Sequence, residues 1–273
     1  MLAEILDVLW RDYVALAPQA EDIRHLLVSR GEILRHDHVA LLTYRAPGIG
    51  GDALARPFEA LGWRRRECCE VSCRDGRARC WQHPDAAVPK VLISELAIEA
   101  LSPAAQAVIG RLIDQLPARF GERGDLPWAG RPWHTTYADY RVLRAESEAA
   151  AWLAAFGFRV HHFTIDAGAL ATFPDLAALG AFLVEHGFAI DDRGGDGGEI
   201  EGGEIEGSAD DRIECAATRP DPIAVELADA TVQIASSGYE LVRRHRKPCG
   251  ERFHGFAPAS TSAVSSSADP GPG

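Results

Sequence analysis

His38-Val39-Ala40-Leu41-Leu42-Thr43-Tyr44 and Val160-His161-His162-Phe163-Thr164-Ile165 decide the reading of this chain. Each is a short apolar run headed by histidine, with the length and β-branched or aromatic content of a buried strand. The two runs lead into similar segments. After Tyr44 comes a Gly-rich turn (Gly48, Gly50, Gly51), then a helix pattern from Asp52 to Leu61 that stops at Gly62. After Ile165, Pro174-Asp175 opens a helix pattern that runs to about Glu185 and stops at Gly187. Short strands come next in both halves: Val71 to Ser72, Ala78 to Gln82 and Lys90 to Leu96 in the first, Phe188 to Ile190 and Asp211 to Ala216 in the second. A βαβββ unit used twice accounts for this order, and the fold class expected is α+β.

Outside the repeat, Leu2 to Ser29 carries apolar residues at helical spacing, broken at Pro18, and reads as two helices. Between the repeats, Pro103 to Leu116 and Tyr137 to Phe156 read as amphipathic helices, the second ended by Gly157. The expected organisation is a single domain over residues 1–264, with modules at about 30–100 and 158–235 and a helical insert at about 103–156. Residues 265–273, rich in Ser, Pro and Gly, read as a disordered tail. Within Gly194 to Ser208 a Gly-Gly-Glu-Ile-Glu unit occurs twice in tandem. It reads as a duplicated acidic turn, because its spacing is not that of a calcium-binding EF-hand loop.

With 47% hydrophobic and 25% charged residues, the 273-residue chain has the composition of a globular protein. Its formal net charge of −12 argues against a nucleic-acid surface, which needs a basic patch. No run of about 18 apolar residues could span a bilayer, so no membrane association is expected. Nor does the N-terminus have the layout of an export signal. The six cysteines, Cys68, Cys69, Cys73, Cys80, Cys215 and Cys249, lack paired Cys-x-x-Cys spacing and read as reduced thiols of a cytoplasmic protein. The oligomeric state is not legible.

The matched histidines are the chemical signal. A neutral imidazole is a good ligand for Fe, Zn or Mn, and a carboxylate completes a facial site that leaves positions open for small molecules. If the halves pack about a pseudo-two-fold axis, His38 and His162 converge. His36 and His161 compete with them, but strand alternation turns neighbours to opposite faces, so His161 is expected to point away if His162 points in. The carboxylate has several candidates. Glu95 and Glu214 each sit in an apolar strand late in their half, and Glu199, Glu201, Glu204 and Glu206 lie in the Gly-rich segment. No Gly-x-Ser-x-Gly elbow, Walker loop or dinucleotide fingerprint is present.

These residues give the chain a recognisable pattern. Arg30-Gly31-Glu32 through Asp37-His38-Val39-Ala40-Leu41, Ala55-Arg56-Pro57-Phe58 and Pro89 to Leu96 carry it in the first half. Glu146 to Trp152, Ala155 to Thr164, Gly203 to Ser208 and His254 to Ser260 continue it. The chain resembles the 2-oxoadipate dioxygenase/decarboxylase family. That resemblance implies a vicinal oxygen chelate-like curved sheet made from the two modules, with added N-terminal and inter-module helices. It implies Fe(2+) as cofactor and conversion of 2-oxoadipate and O2 to 2-hydroxyglutarate and CO2 in lysine breakdown, the partners being a small 2-oxo acid and O2. It places the metal ligands on His38, His162 and Glu214, with Glu204 as the fallback. Substrate contacts are implied at His38, Ala259 and Ser260. One position departs from the pattern: the family's substrate-anchoring arginine, four residues after the first metal histidine, is Leu42 here. Leucine offers neither charge nor donor to a substrate carboxylate. Arg45, nearby in sequence, falls on the opposite strand face. The same chemistry on another 2-oxo acid and a non-catalytic ligand-binding protein are the alternatives.

Overall fold

The computed structural model describes residues 2–73, 76–191, 213–246, 250 and 253. Helices α1 (Leu2–Val14) and α2 (Pro18–Ser29) come first, Pro18 standing at the start of α2, where its missing N–H is no loss. Strand β1 (His36–Tyr44), α3 (Gly51–Ala60), β2 (Arg64–Cys73), β3 (Gly76–Gln82) and β4 (Lys90–Leu96) form the first module. The insert holds α4 (Pro103–Ile113), α5 (Tyr137–Arg144) and α6 (Glu148–Phe156). Then come β5 (Val160–Asp166), α7 (Leu176–Glu185), β6 (Ile190–Asp191) and β7 (Ile213–Thr218). A hairpin of β8 (Pro222–Glu226) and β9 (Thr231–Ala235) precedes β10 (Glu240–Arg244).

One eight-stranded mixed sheet runs in the order β2-β3-β4-β1-β5-β10-β7-β6. The order is palindromic in kind. In each half the first strand lies at the centre, the last strand pairs parallel to it, and the others run outward. This is the curved two-module sheet of a vicinal oxygen chelate-like α+β fold. β2 begins at Arg64 rather than Val71, and two further details differ from the sequence reading. The helix pattern over 137–156 is divided, because Ser147 caps a new helix by accepting from the Ala150 N–H at 3.2 Å. The second module also closes with β10, beyond residue 235, because the β8–β9 hairpin forms a separate two-stranded sheet before the chain returns to pair with β5.

Helices cover one face of the large sheet, and its core is one extended apolar cluster. From α1, Trp10 and Tyr13 reach Phe163 and Tyr239, with ring centroids 5.1–6.1 Å apart. The Tyr13 hydroxyl donates to Gly238 O at 2.7 Å, so the N-terminal helix is tied to the turn that launches β10. Asp175 caps α7 through the Ala178 N–H at 2.7 Å. The Gly-Gly-Glu-Ile-Glu duplication and the 265–273 tail lie outside the described residues. No helix among the described residues is long and apolar enough to cross a membrane.

An ionisable carboxyl, Glu21, links α1 to α2. Glu21 accepts from Trp10 Nε1 at 2.8 Å and from Arg24 Nε at 2.9 Å. The Arg24 hydrogen bond, outweighing the opposing effect of burial and helped by Trp10, lowers the Glu21 carboxyl from 4.5 to about 2. A carboxyl depressed in the folded state stabilises fully above its unfolded pKa, and that stability is lost as pH falls through the folded one. Urea midpoints of the wild type and Glu21→Gln should therefore differ most above pH 4.5, and the gap should close toward pH 2. A gap independent of pH would show that the ionised carboxylate contributes nothing.

Candidate metal centre

The two histidine-headed strands meet at the centre of the sheet. β1 and β5 pair antiparallel, with His38 opposite Thr164 and Ala40 opposite His162, which puts the side chains of both histidines on the face away from the helices. Each strand carries an irregularity. Between His36 and His38 the register shifts and Asp37 is the added residue; between the pairs Ala40–His162 and Leu41–Val160, His161 is the added residue. The first bulge turns His36 to the helix side, where it lies 2.6 Å from the Tyr239 hydroxyl. The second overrides the alternation that sends His161 away from His162. The His161 ring packs edge-on against Trp152 at 4.8 Å, and its Nδ1 still lies 2.8 Å from His162 Nδ1.

The third member of the group is Glu240, the first residue of β10. It pairs in parallel register with Thr164, so its carboxylate rises beside both imidazoles. His38, His162 and Glu240 each offer a ligand atom, these atoms lie within 4.8 Å of one another, and all three residues are buried. Thr164 Oγ1 stands between them, 3.1 Å from His38 Nε2 and donating to Glu240 Oε2 at 3.2 Å.

Glu214 is not part of this group, and the reason is strand parity. It lies opposite Arg243 across β7–β10, so it projects from the face opposite Glu240 and Arg244 and binds His245 through its Oε1. Glu95 also faces the helices. It accepts from the Gly51 N–H at 2.8 Å and pairs with Arg77 and Arg79. The fallback Glu204, the remaining Gly-rich glutamates, and Ala259 and Ser260 lie outside the described residues. Sequence reading missed Glu240 because its strand, Glu-Leu-Val-Arg-Arg, follows a hairpin that belongs to another sheet. The available signal was a polar residue heading a strand that ends in two arginines.

Asp37 supports the group from behind. It contacts His38 Nδ1 at 2.9 Å, accepts from Arg244 Nε at 2.7 Å and Nη2 at 2.8 Å, and pairs with Lys90 Nζ at 3.2 Å. Burial pushes the Asp37 carboxyl up, but the charges of Arg244 and Lys90 win and hold it well below the ordinary range. Burial lowers His38 despite the opposing pull of Asp37, so the imidazole is neutral near pH 7. His161 is lowered by burial to about 3 and is neutral as well. Glu240 is raised by burial, lowered more by His162, His38 and His161, and stays ionised.

A divalent metal fits this set. His162 Nε2 is fully buried and makes no hydrogen bond, although Glu240 Oε2 lies only 3.2 Å away. Two imidazoles and one carboxylate on one side of a point are the donor set of non-haem iron, zinc or manganese sites. A cation shared by the Nε2 lone pair and the carboxylate satisfies both at once. Leu42 lies on the site face of β1, beyond Ala40, while Arg45 is drawn off to Glu99. Ala40, Ala78, Cys80 and Leu92 form a small buried apolar patch on that same face of β1, β3 and β4.

Fold and site together define a vicinal oxygen chelate-like protein with a buried His-His-Glu group that could hold a metal. No family model matches the chain. The 2-oxoadipate dioxygenase/decarboxylase of rice (Oryza sativa subsp. japonica) is 28% identical over 251 residues, which cover 85% of this chain and 66% of that one. The chain therefore spans just under two thirds of the length of that curated relative. Among solved structures, a protein of Shewanella frigidimarina NCIMB 400, provisionally described as a hydrolase, superposes with a TM-score of 0.83 at 32% identity. The match covers 95% of this chain and 98% of that one. The hydroxyglutarate synthase of Oryza sativa in complex with 2-oxoadipate superposes with a TM-score of 0.82 at 25% identity, covering 95% and 91%. The resemblance to 2-oxoadipate dioxygenase/decarboxylases is thus present in both sequence and structure.

The two glutamates separate cleanly by experiment. Glu240→Ala should weaken divalent metal binding by more than the roughly 10–100-fold that follows loss of an outer hydrogen-bond partner. Glu214→Gln should bind like the wild type in the same isothermal titration. The reverse ranking would return the carboxylate to Glu214.

Proposed function

We propose that this chain is an Fe(2+)-dependent enzyme that converts a 2-oxo acid and O2 to the one-carbon-shorter 2-hydroxy acid and CO2, with 2-oxoadipate and 2-hydroxyglutarate as the leading pair. The observation that carries the reading is the buried convergence of His38, His162 and Glu240 in a fold shared with a protein solved in complex with 2-oxoadipate. The reaction balances, since both atoms of O2 are accounted for in the hydroxy acid and CO2.

His38 and His162 would hold the iron through Nε2 and Glu240 through its carboxylate. Iron, when bound, supplies Lewis acidity and one-electron chemistry with O2. The protein does the rest. Burial keeps His38 neutral, so its lone pair is available at neutral pH. Thr164 donates to Glu240 Oε2, the oxygen 3.2 Å from His162 Nε2, and steadies it. The apolar patch of Ala40, Ala78, Cys80 and Leu92 excludes water from the module-one side. Ala259 and Ser260 remain proposed substrate contacts on the strength of the family resemblance, as do a role in lysine breakdown and a cytoplasmic setting. Residues 1–264 are taken as one catalytic domain, since the site draws on β1, β5 and β10 from both modules.

One observation favours a second reading of the substrate. Leu42 and its apolar neighbours offer no fork for a distal carboxylate on that wall, and loss of one charged hydrogen-bond partner removes about 1.5–3 kcal/mol. A 2-oxo acid with an apolar chain suits that wall better. Oxygen uptake by the iron-loaded protein, with 2-oxoadipate set against 2-oxoglutarate and 2-oxoisocaproate, decides between them. Fastest turnover on 2-oxoadipate supports the first reading and fastest turnover on 2-oxoisocaproate the second. The absence of uptake with all three would overturn the enzymatic reading.

A further inference from the structure

We propose that Asp37 and His161, the residues that the two bulges add to β1 and β5, are positioning residues that hold Nδ1 of His38 and His162 and so aim each Nε2 at the metal position. This rests on the metal-binding reading above and extends it to residues that touch no metal.

The two modules use the same device. In each central strand the residue immediately before the histidine is displaced by a register shift, and its polar atom comes to the histidine's Nδ1: Asp37 Oδ1 at 2.9 Å from His38, His161 Nδ1 at 2.8 Å from His162. An ionised carboxylate only accepts hydrogen bonds, so Asp37 requires the proton of neutral His38 to sit on Nδ1 and leaves the lone pair on Nε2. The His161–His162 contact needs one proton between two nitrogens. With His162 as donor, its Nε2 keeps its lone pair, which agrees with the absence of any hydrogen bond at that atom. Fixing tautomer and ring orientation from behind is what outer partners do for metal-bound histidines.

The partners are themselves held. Asp37 sits in the guanidinium fork of Arg244, on the same strand and face as Glu240, and is paired with Lys90, which is opposite His38 on β4. One carboxylate therefore fixes the His38 ring and ties β10, which carries Glu240, to β1. His161 is wedged by the edge-on contact with Trp152 of α6. A competing explanation is that Asp37 merely neutralises two buried cations. Under that explanation Lys90 and Asp37 variants would change stability together and leave metal affinity alone.

The test is a Co(2+) titration by calorimetry, with the nitrogen NMR shifts of the histidine rings read on the metal-free protein. Wild type should bind one equivalent, and His38→Ala should not bind. Asp37→Asn and His161→Phe should bind roughly 10–100-fold more weakly, while Glu214→Gln, on the opposite face of the sheet, should keep wild-type affinity. The double variant Asp37→Asn/Lys90→Met restores charge balance in case Asp37→Asn alone does not fold, and it should show the same loss. The His38 ring should report a proton on Nδ1 in the wild type and lose that preference in the Asp37 variants. Wild-type affinity and an unchanged tautomer in the Asp37 variants would overturn the positioning role while leaving the metal site standing. A wild type that binds no Co(2+), or a His38→Ala variant that binds equally, would instead overturn the metal reading itself.

Discussion

β1 and β5 pair antiparallel at the middle of the sheet, with His38 opposite Thr164 and Ala40 opposite His162. That ladder is the only direct strand-to-strand join between the two halves among the described residues, and the site is built on it. Strand pairing fixes spacing to a few tenths of an ångström and assigns every side chain to a face. A slip of one residue would send His38 and His162 into the apolar core and bring Val39 and Phe163 to the site. The parallel partner β10 adds Glu240 by the same logic, since its register with Thr164 is set by main-chain bonds and not by chance proximity.

Burial makes the arrangement costly and therefore specific. Asp37, Lys90 and Arg244 carry charge within the protein, where an uncompensated ion costs several kcal/mol. They are tolerated because each meets an opposite charge in good geometry. Glu240 and His162 differ: the carboxylate is ionised beside a nitrogen that makes no hydrogen bond. A buried nitrogen without a hydrogen bond beside an ionised carboxylate is an arrangement that a cation would complete. Outside it, Arg79 pairs with Asp52 of α3 and with Glu95 of β4 and so holds α3 to the sheet.

The two bulges show how a regular sheet is made to hold a metal-type group. Ideal alternation puts one residue in two on the site face, so a histidine cannot have its sequence neighbour beside it. Adding a residue to each central strand breaks the alternation at one point and supplies that neighbour. The same irregularity turns His36 away to Tyr239, removing a third imidazole that would otherwise compete. Local disruption of the ladder is thus the source of selectivity among the histidines and the aspartate clustered at positions 36 to 38 and 161 to 162.

Much of this was legible in the chain itself. Apolar runs headed by histidine, helix stops at glycine and the recurrence of one order of elements determined two modules and singled out His38 and His162, because hydrophobic periodicity and capping are local properties. The carboxylate was not legible. Glu95, Glu214 and Glu240 all sit in short strands, and the only local mark on Glu240 is its place at the head of a strand that ends in two arginines. Which one stands beside the histidines depends on the pairing partner of each strand, the parity of its register and the detour of the β8–β9 hairpin. The role of Asp37 and His161 was hidden for the same reason. Sequence dictates which residues can bind a metal, but a bulge or a register is a relation between strands distant in the chain, and only the tertiary structure decides it.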